Sequence, residues 1–336
     1  MDCKPFLLTV VGFLLAPAAL QAQNFMTVNG RVNASELTRA LPHEHVDTNF
    51  IGADAIMVPP RHGQTHVSHV ISAFKSLHAK GVNFVFECTP AYIGRDVKLL
   101  KEISRQSGVH IVTNTGFYAA VNKKYIPDFV YTGSVTDISQ RWEKEFVNGI
   151  DGTDVKPGFI KLGVDTGPLD SIETKLLLAA VDVSRKTGLT IAVHTGDYAA
   201  ALSEYQIVKR EKHDPSRLVW VHAQNASNEE RLDLATKGVY ISLDGVSEKN
   251  FEEYAARILF LKRNNVLNRV ILSHDDGWAV LSNGSYKELE LFGNGNLNPY
   301  TTIFSRLIPL LKKEGMTDAE IDLIMKENVV KCFAIR

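Results

Sequence analysis

Cysteine is scarce in this chain. Cys3, Cys88 and Cys332 are the three cysteines in 336 residues, too few and too far apart for a disulfide framework even in an oxidising compartment. Cys88 and Cys332 lie in apolar contexts with no histidine beside them, so both read as buried thiols rather than nucleophiles. Charge of one sign is lacking as well. The 37 Lys and Arg against 38 Asp and Glu give a formal net charge of -1, and with no basic stretch this argues against a nucleic-acid footprint. No glycine-rich loop follows the first strand, as a doubly wound dinucleotide-binding sheet would need. No linker, repeat or low-complexity run divides the sequence from Asn24 onward, so residues 23–336 read as a single domain.

Long apolar runs are confined to the N-terminus. Met1–Pro5 contains a lysine, Phe6–Ala16 is almost wholly apolar, and Pro17–Ala22 is rich in small residues. That is the order of a secretory signal peptide, with Leu20-Gln21-Ala22 as the cleavage end. The run is short for a membrane span and has no later stop-transfer partner, and Cys3 lies ahead of it, away from any lipid-attachment position. The expectation is a signal peptide over residues 1–22, export to a periplasm or the exterior, and no stable membrane insertion; a retained anchor is the competing reading.

What the chain does have is rhythm. Apolar runs at 82–87, 109–115, 158–162, 189–194, 217–222, 239–244 and 269–273 read as strands. Near-continuous apolar character is what parallel strands buried on both faces require. Helical patterns at 97–107, 171–187, 200–212, 228–237 and 251–264 alternate with them, and 302–314 and 317–326 close the chain. Gly81, Gly108, Gly188 and Gly238 each precede a strand, as helix-ending glycines do. With the strand leading into His43, this predicts a (β/α)8 TIM barrel; a doubly wound open sheet is the alternative.

The C-terminal ends of these strands carry His43 and His45, Glu87, Thr115, Lys161, His194, His222, Asp244 and Asp275. In a parallel barrel such ends converge on one mouth, where active sites are built. Polar groups there without partners or a metal would each cost several kcal/mol. Imidazoles and carboxylates without thiolates suit Zn, Mn, Fe or Co. Lys161 is the odd member. A desolvated lysine amine can take up carbon dioxide to form a carbamate, an anionic ligand able to bridge two ions. His274 alternates away from Asp275 and reads as packing beside the ligands. Glu87 and Asp244 read either as groups orienting ligands or as partners of nearby cations. His62, His66, His69, His78, His110 and His213 fit surface or core roles, and the Gly- and Asn-rich segment Trp278–Tyr300 reads as a substrate-facing loop.

The order and spacing of His43-Glu44-His45, Glu87-Cys88-Thr89-Pro90 with Gly94-Arg95-Asp96, and Thr115-Gly116-Phe117-Tyr118 resemble the phosphotriesterase-like family of the amidohydrolase superfamily. Gly158-Phe159-Ile160-Lys161, Val193-His194-Thr195, Val221-His222, Leu243-Asp244 and Ser273-His274-Asp275 continue the likeness over the whole domain. The resemblance implies two divalent ions, zinc first, with Mn, Co or Fe as alternatives. His43, His45 and Asp275 would hold the buried ion and His194 and His222 the exposed one, with carboxylated Lys161 and a hydroxide bridging them. It further implies that Asp275 takes the proton as the hydroxide attacks, and that Tyr118 orients the substrate carbonyl. The sequence departs from phosphotriesterases proper at Asn225 and Gly245, where those enzymes carry the aspartate and histidine of a proton relay and where related lactonases carry an arginine at the second position. Asn328-Val329 replaces the family's Asn-Pro near the C-terminus. The expected function is a binuclear hydrolase of a small-molecule ester or lactone. The alternatives are a phosphoester or organophosphate hydrolase, or a catalytically inactive ligand-binding barrel, with a homodimer as the assembly to test.

Overall fold

Eight short strands, buried on both faces, form the staves of a (β/α)8 barrel in the computed structural model, which describes residues 23–56, 64–280, 289–292, 296 and 298–335. The segment read as a signal peptide lies outside the described residues, as do His62 and the side chain of His66. The staves are β1 (Ala40–Glu44), β2 (Phe84–Glu87), β3 (His110–Val112, continued by Asn114–Thr115), β4 (Phe159–Gly163), β5 (Ile191–His194), β6 (Leu218–Val221), β7 (Tyr240–Leu243) and β8 (Val270–Leu272). Each pairs in parallel with its sequence neighbour from β1 through β8.

The interior is filled at its base by aromatic side chains. Phe84, Phe86, Phe159, Tyr240 and Ile271 point into one cluster with Phe25 and Phe333, and the Phe86 and Phe333 rings lie 4.5 Å apart. The chain ends close this floor: Asn24 N donates to Ile335 O at 2.8 Å and Ile335 N to Asn24 O at 2.9 Å. A packed base leaves the C-terminal ends of the strands as the open face.

The outer helices are α1 (Gln64–Ala79), α2 (Val97–Ser107), α3 (Val135–Asn148), α4 (Ser171–Thr187), α5 (Tyr198–Arg210), α6 (Asn228–Thr236) and α7 (Phe251–Arg263). Local chemistry sets their ends. Asp170 and Glu173 form a reciprocal cap at the start of α4, and Gly188 ends it at φ 76. Sequence reading marked neither α1 nor α3. In α3 the buried stripe is narrow, chiefly Ile138 and Trp142 one helical turn apart, which is weak periodicity for a window of that length. The segment expected as a loop after β8 is partly a sheet. Gly277–Val280 pairs with Leu289–Phe292 and, in parallel, with Thr48–Asn49, and both Trp278 and Tyr300 are buried.

Candidate metal centre

Simple strand alternation does not bring all six expected ligands to the mouth. Lys161 stands two residues beyond Phe159, and His194 two beyond Ala192, so these share the inward face of side chains already in the barrel core. β1 needs a correction, because Leu41 packs outward among the helices, and alternation from it would turn His43 outward too. The structure inserts one residue: Leu41 pairs with Val85 but Glu44 pairs with Glu87. This bulge flips the parity and aims His43 and His45 inward. His222 and Asp275 are aimed by left-handed backbone, at φ 62 and φ 58, a conformation that costs a non-glycine residue about 1–2 kcal/mol and that concentrates at functional sites.

The result is a tight constellation. His43 Nε2 and His45 Nε2 lie 3.2 and 3.1 Å from Asp275 Oδ1, and one ligand atom from each of the three falls within 4.8 Å of the others. Donors about 2.0–2.1 Å from one tetrahedral ion stand about 3.3–3.4 Å apart. The His194 and His222 rings are 4.4 Å apart and the His43 and His222 rings 5.2 Å. Lys161 is 1% exposed; its Nζ donates to Leu162 O at a long 3.4 Å and stands 5.6 Å from the centre of the Tyr118 ring.

Hydrogen bonds behind the ligands fix which imidazole nitrogen faces the mouth. Thr89 Oγ1 donates its single proton to Asp47 O at 3.0 Å. The 2.8 Å contact between His45 Nδ1 and the same Oγ1 is therefore donated by the imidazole. His45 Nε2 is thereby left to face the Asp275 carboxylate, where both atoms could share a cation. His222 Nδ1 donates to Asp244 Oδ1 at 2.7 Å, which likewise leaves Nε2 for the mouth. Asp244 is held in turn by Ser242 Oγ at 2.6 Å and Gln224 Nε2 at 3.0 Å, and lies 3.5 Å from His43 Nδ1. Such support behind metal-binding histidines is the usual way their tautomer is set.

The charge states suit cation binding. Burial pushes His43 down to about 4, against the pull of Asp244 and Asp275. Burial, then His222 and Lys161, hold His194 well below its ordinary value. Burial also lowers Lys161. Burial opposes ionisation of Asp275, yet the surrounding imidazoles outweigh it and hold the carboxyl well below the usual range. His222 departs from this pattern: burial disfavours its charge, but Asp244 beside it raises its pKa.

Tyr118 flanks the cluster, its ring 4.9 Å from that of His194, and its backbone bridges to Gly163 at the end of β4. A side chain at Gly163 would strike the Tyr118 ring at 2.4 Å. Asp244 bonds His222, Ser242 and Gln224 rather than a lysine or arginine. Glu87 does not pair with a cation among the described residues: its Oε1 accepts from Val46 N at 3.3 Å, and burial pushes its carboxyl up to about 8. His274 lies outside the cluster, its Nδ1 2.9 Å from Glu44. Asn225 is exposed and Gly245 buried. Cys88 and Cys332 are free, buried thiols. Sequence reading missed Thr89 and Gln224 as orienting groups; Thr89 sits two residues past a strand-end glutamate, which was the one available signal.

Comparison with known proteins agrees with this architecture. The sequence model of the Phosphotriesterase family matches residues 23–333. The chain is 28% identical over 298 residues to a phosphotriesterase homology protein of Escherichia coli, covering 87% of this chain and 97% of that protein. It is 26% identical over 263 residues to an aryldialkylphosphatase of Saccharolobus solfataricus, covering 76% and 81%. A mutant phosphotriesterase-like lactonase of Deinococcus radiodurans shares the fold at a TM-score of 0.82, with 24% identity over 92% of this chain and 99% of that one.

Proposed function

This chain belongs to the phosphotriesterase family and is a hydrolase of the phosphotriesterase and lactonase type, and within that family we propose that it cleaves a small carboxylic ester or lactone at a binuclear, zinc-type centre. The observation that carries the proposal is the convergence of His43, His45 and Asp275 at the barrel mouth, with three donor atoms inside 4.8 Å. In this reading His43, His45 and Asp275 hold one divalent ion and His194 and His222 a second. Lys161, if carboxylated, would be the anionic ligand available to both; its depressed pKa favours the neutral amine that reacts with carbon dioxide. When bound, two such ions activate water at neutral pH and polarise the oxygen of the scissile group.

The chain's own residues do the rest. Asp275, kept ionised, accepts the proton released as water attacks, within reach of the site because its Oδ1 is at the centre of the cluster. Asp244 and Thr89 hold His222 and His45 in the tautomers that present Nε2. Tyr118 stands beside His194 and orients the carbonyl. Exposed Asn225 and side-chain-less Gly245 supply neither the carboxylate–imidazole relay of phosphotriesterases nor the arginine of related lactonases next to Asp275.

The leader-like segment over residues 1–22 supports export, and among the described residues no helix is long and apolar enough to cross a membrane. The test is a substrate panel on zinc-loaded protein: aryl esters, lactones and aryl phosphotriesters. Turnover of phosphotriesters without esters or lactones overturns the substrate assignment, and well under one ion per chain after reconstitution overturns the metal centre.

A further inference from the structure

The barrel closes between β8 and β1, and this seam has no strand ladder among the described residues; the six strands ending at β8 and the three beginning at β1 form separate sheets. Backbone contacts across it are few: Asp275 N to His43 O at 3.2 Å and His45 N to Asp276 O at 2.8 Å, with His43 N donating to Ser273 Oγ at 3.0 Å. Just beyond the strand ends, Thr48–Asn49 pairs in parallel with Ala279–Val280, and between these contacts one buried side chain spans the seam. Glu44, the residue between the two mouth histidines, turns away from the cluster and is 0% exposed. Its Oε1 accepts from Ser273 Oγ at 2.8 Å, from His274 N at 2.9 Å and from His274 Nδ1 at 2.9 Å, and its Oε2 accepts from Asp276 N at 2.9 Å. The His274 contact is a donation to Glu44, because Ile303 N donates to the other ring nitrogen at 3.0 Å and so makes that nitrogen the acceptor.

We infer that Glu44 is a positioning residue that fixes the left-handed turn at Asp275 and thereby aims the Asp275 carboxylate at His43 and His45. The amides of residues 274 and 276, on either side of Asp275, converge on one carboxylate. This is the arrangement of an anion-binding backbone nest, whose middle residue takes the reversed backbone conformation, and Asp275 is at φ 58. Glu44 thus supplies the carboxyl oxygens that the kinked segment wraps. One residue serves both neighbours: the bulge that turns His43 and His45 inward turns Glu44 toward β8. Four donors converge on its carboxyl group. Replacing the carboxylate by an amide places an N–H against converging N–H groups, and the turn is no longer held.

This inference rests on the metal-centre reading, and its test separates the two. Full-length wild type, Glu44→Gln and Glu44→Asp are stripped of metal and reloaded with cobalt(II), whose visible bands report ligand geometry, and with zinc. Circular dichroism and unfolding establish that each variant is folded. Glu44→Gln is expected to weaken the tighter-bound ion by about tenfold or more, the scale seen when groups behind metal ligands are removed, with an altered cobalt spectrum and a fall in kcat at little-changed KM. Glu44→Asp, which retains a carboxyl group with two acceptor oxygens, is expected to recover part of the spectrum. If Glu44→Gln fails to fold, Ser273→Ala removes one donor to Glu44 and the acceptor of His43 N, and is expected to shift the same bands less strongly. A wild-type cobalt spectrum and zinc affinity in folded Glu44→Gln, or in Ser273→Ala where that variant must serve, overturns the role of Glu44 alone. Wild-type protein that takes up no ion overturns the metal centre and this inference with it.

Discussion

Replacing Asp244 by Asn probes how much of the centre depends on support behind the ligands. The Asp244 carboxylate accepts from His222 Nδ1 at 2.7 Å, Ser242 Oγ at 2.6 Å, Gln224 Nε2 at 3.0 Å and His222 N at 3.2 Å. An amide offers one oxygen and turns an N–H toward the remaining donors. The least costly response is for His222 to move its proton from Nδ1 to Nε2, which blocks the nitrogen that faces the mouth. Loss of a charge-assisted bond of this kind is worth about 1.5–3 kcal/mol, and removal of a carboxylate behind a ligating histidine weakens metal affinity about 10–100-fold; the two scales agree, since tenfold is about 1.4 kcal/mol. Zinc competition against a chromophoric chelator measures the loss directly. A second readout is acid stability. Asp244 is pushed down to about 2, its burial outweighed by His222 and His43, against an ordinary value near 3.8. A depressed carboxyl stabilises the fold above its unfolded pKa and loses that contribution as pH falls through its folded one. Metal-free wild type therefore sheds about 2 kcal/mol between pH 4 and pH 2 from this group. In Asp244→Asn that portion of the acid slope disappears. Zinc affinity within twofold of wild type, together with an unchanged acid slope, would refute the argument.

Three other perturbations have definite signs. Lys161→Ala is expected to lose ion binding and activity while keeping the barrel's circular dichroism; a variant that still binds two ions rules out the bridging role. Glu87 is raised to about 8 by burial, so the stability it contributes is full below its unfolded pKa near 4.5 and is lost as pH rises toward 8. Glu87→Gln should accordingly gain on metal-free wild type by a few kcal/mol across that window, read by urea unfolding at pH 5 and pH 8, and parallel curves would exclude a buried neutral carboxyl. Val121 is 52% exposed at φ 62, its amide bound to Asp165 Oδ1 at 2.7 Å. Val121→Gly relieves the left-handed strain of a β-branched residue, partly offset by chain entropy, for a net gain of about 0.5–1 kcal/mol, seen as a higher Tm; a lower Tm would mean that the side chain packs.

The sequence alone determined the barrel and its polar mouth. Buried parallel strands must be apolar throughout, so the polar residues at their ends stood out, and His43, His45, Lys161, His194, His222 and Asp275 could be named from strand-end position and family likeness. Helix α2 was expected at Val97–Ser107 and α4 at Ser171–Thr187, and both are found there, because caps and glycine stops are local chemistry. The tertiary structure decided direction. Period-two alternation sends His43 outward until a bulge against β2 inserts one residue, and nothing within β1 states how it registers on its neighbour. The left-handed backbone at His222 and Asp275 is likewise invisible in residues that do not favour it; it exists because Asp244, Glu44 and the closing strands hold it. Which carboxylate faces the mouth is also a matter of placement. Glu44, Glu87, Asp244 and Asp275 all stand at strand ends, and only the direction each side chain takes from the folded backbone separates the one facing the mouth from the three that lie behind it.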